Sequence, residues 1–246
     1  MNAGNRTNQE LYVVGAGPGD PDLITLKAYK VLQRARVILY DNLANEELLN
    51  LVPADCEKIY VGKRPYGEYT AQETIHELIL QKASEKGTVV RLKGGDPFIF
   101  GRGYEEIIFA REHGIDAFYI PGITSMQAAG FEDIPLTHRT LSEGIWVITG
   151  TKKDGRLSSD LRLAMQSNAT VVIYMGMKKV EEIAETYITE GMGEMPAAII
   201  QHATLPKQKS GVGKVKDLPA IAEANNLTHP SIIIIGEVAG LRNIEK

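Results

Sequence analysis

Short apolar runs closed by a turn, each followed by helical periodicity, dominate the first half of this chain and restrict what it can fold into. Leu11-Tyr-Val-Val-Gly15 is the first such run, as a strand buried on both faces of a parallel sheet requires. Helical spacing over 22–35 follows, with Leu23, Leu26, Val31 and Leu32 as its apolar stripe. Residues 37–40 and 58–61 read as the next strands. Thr70-Ala-Gln-Glu73 has capping-box spacing and predicts a helix through Ile75, Leu78, Ile79 and Ala83, ended by Gly87. A strand at 88–92, a helix over 104–113 and a strand at 117–120 complete an alternation that fits an open parallel sheet.

Near Pro121-Gly122 the rhythm changes. Residues 124–129 are expected as a short helix and Ile134-Pro-Leu-Thr-His-Arg139 as an extended crossing segment. Strands at 145–149 and 170–174 flank a helix, and a further helix covers 178–189. Residues 197–204 and 211–215 read as neighbouring strands joined by a polar turn at 206–210, and 232–235 as a final apolar strand. So strand-rich an ending predicts a mixed sheet. The expected fold class is α/β, with two α/β domains: an N-terminal open parallel sheet and a C-terminal mixed sheet. Residues 1–10 are expected as a disordered lead-in, 11–121 as the N-terminal domain, and 122–246 as the C-terminal domain with the crossover.

Composition narrows the class further. With 43% hydrophobic and 24% charged residues over 246, the chain has the make-up of a soluble globular protein. No apolar run approaches the ~18 residues that span a bilayer, and 1–10 lack a signal peptide's apolar core. A cytoplasmic protein with no membrane partner is expected. A single cysteine, Cys56, allows no internal disulfide, and the five scattered histidines show no metal-ligand spacing, so no metal is expected. A net charge of −4 argues against nucleic acid bound by general basicity, while leaving room for a local basic pocket.

Two glycine-rich turns end strands: Gly15-Ala-Gly-Pro-Gly-Asp20 and Lys93-Gly-Gly-Asp-Pro97. In an open parallel sheet ligands bind at the carboxyl ends of the strands. Gly15-x-Gly17 opens a dinucleotide fingerprint, and Asp41 lies about 20 residues on, where a ribose-binding acid belongs. The third glycine of that fingerprint is replaced by Asp20, and Pro18 removes an N–H that would cradle a pyrophosphate. Two readings stand: tight turns with no ligand, or a loop for a ligand without phosphates, such as S-adenosylmethionine.

Several segments occur together and in order. Val14-Gly-Ala-Gly-Pro-Gly-Asp-Pro21, Leu39-Tyr-Asp41, Tyr60-Val-Gly-Lys-Arg64 and Arg91-Leu-Lys-Gly-Gly-Asp-Pro-Phe-Ile-Phe-Gly-Arg102 come first. Pro121-Gly-Ile-Thr-Ser125, Ile134-Pro-Leu-Thr-His-Arg139, Tyr174-Met-Gly176 and Gly193-Glu-Met-Pro196 follow. Over 11–240 the chain resembles the uroporphyrinogen-III C-methyltransferases of the tetrapyrrole methyltransferase superfamily. The glycine loops are shared across that superfamily. The Tyr-Asp, Val-Gly-Lys-Arg and Pro-Leu-Thr-His-Arg segments resemble its uroporphyrinogen-specific branch.

The resemblance implies a homodimer of two-domain subunits with S-adenosylmethionine between the domains and S-adenosylhomocysteine as its product. Matching positions imply cofactor contacts from Pro18, Gly94, Gly95, Asp96, Ile99, Thr124, Ser125, Met175 and Ala203. For Met175 and Ala203, core packing is an equal reading of the residues alone. The implied reaction methylates carbons 2 and 7 of uroporphyrinogen III, giving precorrin-2 through precorrin-1, for sirohaem- or cobalamin-type tetrapyrrole biosynthesis. No dehydrogenase-like or ferrochelatase-like segment accompanies these motifs, so methylation alone is expected.

By the same resemblance Asp41 and Lys63 are the implied proton acceptor and donor. Asp41 has a second reading, capping the next turn, and Lys63 a second function, pairing with a substrate carboxylate. A small-molecule substrate rich in carboxylates needs cations near the site, and Lys63, Arg64, Arg102 and Arg139 lie within motifs. His138 has two open readings, orienting substrate or making a structural hydrogen bond. The chain departs from the family at 65–71, where an Ala-Gly and a histidine are usual. It departs again at 126–133, which is one residue short and carries Glu132-Asp133 where small residues are common.

Overall fold

The computed structural model describes residues 9–62 and 70–243. Residues 1–8 of the expected lead-in lie outside them, and Glu10 already opens the first strand. By internal contacts the chain forms two compact units, Met1–Thr124 and Ser125–Lys246.

In the first unit β1 (Glu10–Gly15), β2 (Val37–Tyr40), β3 (Glu57–Tyr60), β4 (Thr88–Lys93) and β5 (Asp116–Ile120) form one sheet of order β3-β2-β4-β1-β5. Every pairing in it is parallel. Both faces are covered. Ala28, Val31 and Leu32 of α1 (Leu26–Leu32) pack with Tyr12, Val14, Ile38 and Val90 on one face. Residues of α2 (Gln72–Lys86) and α3 (Gly103–Glu112) pack with Leu11, Val13, Leu39 and Val89 on the other. This is why β1 and β2 read as apolar runs.

Two helix starts differ from expectation. Over 22–35 a 3₁₀ turn at Pro21–Leu23 gives way to extended Ile24, and the Thr25 hydroxyl caps α1 by accepting from the Ala28 N–H at 3.2 Å. That phase puts Leu26, 79% exposed, on the solvent side instead of in the stripe. The cap of α2 is Ala71, not Thr70, and it has no side-chain hydrogen bond. Instead Gln72, buried, ties the helix start to Glu106 of α3 at 3.1 Å.

In the second unit β6 (Ile145–Thr149), β7 (Thr170–Tyr174), β8 (Pro196–Gln201), β9 (Lys209–Lys214) and β10 (Ser231–Ile235) form a mixed sheet of order β6-β7-β10-β8-β9. Only β6 and β7 pair in parallel. One face is covered by α4 (Asp160–Ala164), α5 (Val180–Thr189) and α6 (Leu218–Ala224). The other packs on the 3₁₀ segment Ser125–Glu132, Ile134, Val238 and Ala239. Helix α6 was not expected: it spans two turns with Pro at its start, too short for its period to show. The crossing segment ends in a tight turn rather than running extended to Arg139: His138 and Ser142 exchange backbone hydrogen bonds of 3.0 and 2.9 Å.

Candidate active site

Register aligns the carboxyl ends of the first unit's strands. Tyr40 pairs with Tyr60 and Leu92, Gly15 with Lys93, and Val14 with Ile120. The loops leaving β1 and β4 lead to helices on opposite faces, which makes this neighbouring pair a topological switch point, where open α/β sheets bind ligands. Both glycine loops, Asp41 and Gly62 lie along that edge. A Cβ on Gly62 would stand 3.1 Å from the Asn42 nitrogen, so the chain leaving β3 passes beside the Asp41–Asn42 peptide. Lys63 and Arg64 lie outside the described residues.

The glycines have an internal reason that the sequence reading missed. A Cβ on Gly15 would meet Gly122 Cα at 2.5 Å, one on Gly122 the Gly95 carbonyl oxygen at 2.3 Å, and one on Gly94 the Leu43 oxygen at 2.6 Å. Gly17 and Gly95, at φ 78° and 65°, bridge the two loops: the Gly95 N–H donates to Gly17 O at 2.7 Å, and the return bond is 3.3 Å. Much of the room that glycine leaves is filled by the chain's own backbone. Pro18, half-buried, lies in the loop between them.

Asp41 directly follows β2 and is half-buried. Its Oδ1 accepts from the Leu43 N–H at 3.0 Å, a turn-capping bond, and its Oδ2 pairs with Arg91 Nη2 at 2.9 Å. Arg91 is buried and continues to Glu106 Oε1 at 3.4 Å, which also takes Lys93 Nζ at 3.0 Å. Glu106 is fully buried, and its Oε2 has no hydrogen-bond partner among the described residues. Burial, then the Arg91 charge, pushes the Lys93 ammonium below its ordinary value, while Glu106 opposes that. Arg91 and Lys93 sit at i and i+2 of a central strand, so both face α2 and α3. The sequence shows this alternation; the counterion on α3 it does not show.

Asp96 is buried and largely engaged. Oδ1 accepts from the Phe98 N–H at 2.8 Å; Oδ2 accepts from the Tyr119 hydroxyl at 2.6 Å and the Gly122 N–H at 3.1 Å. One lone-pair direction remains on Oδ1 beside the bond it already makes. Burial and the Asp96 bond push the Tyr119 phenol up. Ile99 is 38% exposed between Phe98 and Phe100, also exposed, and Phe98 stacks on Tyr119 at 4.0 Å. Thr124 is buried. Arg102, left-handed at φ 58°, grips Glu105 with Nε–Oε1 2.9 Å and Nη2–Oε2 2.5 Å. Glu105 thus already occupies part of the Arg102 guanidinium.

In the second unit Ser125, half-buried, opens the 3₁₀ segment. Strands β7 and β8 both run antiparallel to β10, so their carboxyl ends share one edge, with Tyr174 and Ile200 both paired to Ile232. Met175 and Ala203 follow those ends. Met175 is 52% exposed at φ 54°, which sets core packing aside for it; Ala203, 8% exposed, does pack in the core. His202 and Thr204 flank Ala203 at φ 49° and 65°. Left-handed residues other than glycine cost roughly 1–3 kcal/mol each and gather at functional segments. No spacing or composition marks them. His138 Nδ1 lies 3.1 Å from Thr140 Oγ1 within the turn, and Arg139 is exposed at its tip.

These features define a two-unit α/β protein with candidate binding residues gathered at strand carboxyl ends. The chain belongs to the tetrapyrrole (corrin/porphyrin) methylase family, whose match covers residues 10–219. It is 42% identical over 233 residues to a siroheme synthase of Chromobacterium violaceum, a match covering 94% of this chain and 50% of that protein. The chain thus spans about half the length of the curated relatives it matches. Among solved structures it is 39% identical to the uroporphyrin-III C-methyl transferase of Thermus thermophilus complexed with S-adenyl homocysteine. That match has a TM-score of 0.80 and covers 94% of this chain and 99% of the other. A cobalt precorrin-4 methyltransferase is 28% identical with a TM-score of 0.83, over 95% and 97% of the two chains.

Proposed function

We propose that this chain is an S-adenosylmethionine-dependent methyltransferase that methylates carbons 2 and 7 of uroporphyrinogen III, giving precorrin-2 through precorrin-1. The end-to-end likeness to the Thermus thermophilus enzyme, whose structure holds S-adenyl homocysteine, carries this reading. The more distant precorrin-4 enzyme shares the fold, but the Tyr-Asp and Val-Gly-Lys-Arg segments favour the uroporphyrinogen branch.

The residues present fit the cofactor. Pro18 leaves the first glycine loop short of a phosphate-binding N–H. Ile99 and Met175 expose apolar surface suited to a nucleoside, and Asp96 keeps an acceptor site for a hydroxyl or ammonium. Pro18, Gly94, Gly95, Asp96, Ile99 and Thr124 of the first unit and Ser125, Met175 and Ala203 of the second are assigned to hold it. S-adenosylmethionine brings a methyl already activated on a sulfonium, so the chain needs to supply no nucleophile of its own. What the chain supplies is alignment of the pyrrole carbon and removal of a proton afterwards.

Asp41 is assigned as the proton acceptor. Arg91 and the Leu43 N–H fix its plane, and among the described residues each oxygen takes one bond, fewer than a carboxylate oxygen can accept. Lys63 is assigned as proton donor or carboxylate partner, with Arg64, Arg102, His138 and Arg139 as further substrate contacts. The protein is proposed to act in the cytoplasm as a homodimer, within sirohaem- or cobalamin-type biosynthesis.

Transfer of labelled methyl from S-adenosylmethionine to uroporphyrinogen III, for the wild type and Lys63→Ala, tests the assignment. The variant is expected to lose about 10²-fold or more in turnover while S-adenosylhomocysteine binding stays within about twofold. Undiminished turnover would remove Lys63 from the mechanism.

A further inference from the structure

Glu132 ends the 3₁₀ segment Ser125–Glu132, and it does not face solvent. It is 8% exposed and is held by Gln208 and by Ser210 of β9. Gln208 Nε2 donates to Glu132 Oε1 at 2.5 Å, and Gln208 Oε1 accepts from the Thr204 N–H at 2.5 Å. Glu132 Oε2 accepts from the Ser210 hydroxyl at 2.8 Å and pairs with Arg242, whose Nη1 donates to Ser210 Oγ at 3.1 Å. The chemistry leaves no choice in this order. A carboxylate only accepts and a backbone N–H only donates, so the Gln208 amide has one orientation that serves both ends.

Beyond β8 the chain leaves the sheet through left-handed His202 and Thr204. A conformation of this cost persists only where its surroundings over-determine it. Backbone bonds from Leu205 to His202 O at 3.1 Å and from Gln208 to Leu205 O at 2.8 Å close the turn. The Gln208 amide then anchors it to Glu132. We propose that Glu132 and Gln208 are a positioning pair that presets the backbone at 202–204, and so a determinant of affinity for the cofactor at Ala203. The inference rests on the proposed assignment of Ala203 to the cofactor site. Preset backbone spares a ligand the ordering it would otherwise impose.

The test uses the full chain, S-adenosylhomocysteine calorimetry and amide hydrogen exchange. Gln208→Leu is expected to raise Kd roughly tenfold, the scale of one anchoring hydrogen bond lost at a buried site. It should also speed exchange at Thr204 before any ligand is added. KM for S-adenosylmethionine should rise likewise with kcat within about twofold. The exchanged pair Glu132→Gln with Gln208→Glu keeps a donor facing an acceptor and keeps an acceptor for the Thr204 N–H. It is expected to bind within about threefold of the wild type, a rescue that a merely structural role does not give. Unchanged affinity in Gln208→Leu, or an exchanged pair as weak as that variant, overturns the positioning pair alone. A wild-type chain that fails to bind S-adenosylhomocysteine overturns the cofactor assignment itself.

Discussion

At Gly122 an added methyl would press on the Gly95 carbonyl oxygen at 2.3 Å and on Gly15 Cα at 2.7 Å. Both neighbours are backbone, so no rotamer relieves the clash. Gly122→Ala is therefore expected to cost about 1–3 kcal/mol of stability, read by urea unfolding. Equal unfolding midpoints would mean that the loops give way freely. The sequence reading placed these glycines at strand ends and left open whether their space serves a tight turn or a ligand. Strand ends are visible as apolar runs; the partner across a turn is not. Asp41 illustrates the same limit. Its place after β2 follows from Leu39-Tyr-Asp41, whereas its buried partner Arg91 is 50 residues away and became a neighbour only through the β2–β4 pairing. Met175, His202 and Thr204 carry the positive φ expected of glycine, and nothing local in their side chains announces it.

Among elements, periodicity was legible where burial was one-sided or complete. It placed β6 and β7 to the residue, and α3 to within one residue at each end. It set the start of α1 too early, because a 3₁₀ turn took the first residues of the expected helix; at α2 the helix and its end at Gly87 were as expected, and only the cap lies one residue later, at Ala71. Side-chain clamps between elements are likewise silent in sequence. Glu194, before β8, holds Lys214 at the end of β9 and Lys216 just beyond it, both at 2.5 Å. These two ammonium groups pull its carboxyl down to about 2 from 4.5. A carboxyl lowered in the folded state stabilises above its unfolded value, and that contribution fades as pH falls from about 4.5 toward about 2. The Tm difference between the wild type and Glu194→Gln should therefore be largest near neutrality and shrink on acidification. Because the clamp is exposed, added salt should shrink it too. A difference independent of pH would show that Glu194 acts through packing.

For the molecule as a whole, two sheets of different type share one chain. The parallel sheet of the first unit offers its switch point, and the mixed sheet of the second offers the strained ends of β7 and β8. The net charge of −4 is silent about the proposed anionic substrate, since the few cations assigned to it sit within motifs. Family membership came from those motifs in combination, none of which is decisive singly. The proposed function requires double methylation of one macrocycle. Its most direct test is an anaerobic reaction of the chain with uroporphyrinogen III and S-adenosylmethionine, followed by the mass and absorbance of the product. The expected product has gained two methyl groups and shows the spectrum of precorrin-2 on the way to its oxidised form. A macrocycle recovered without added methyl, from a chain that still binds S-adenosylhomocysteine, would contradict it and point to a later precorrin as substrate.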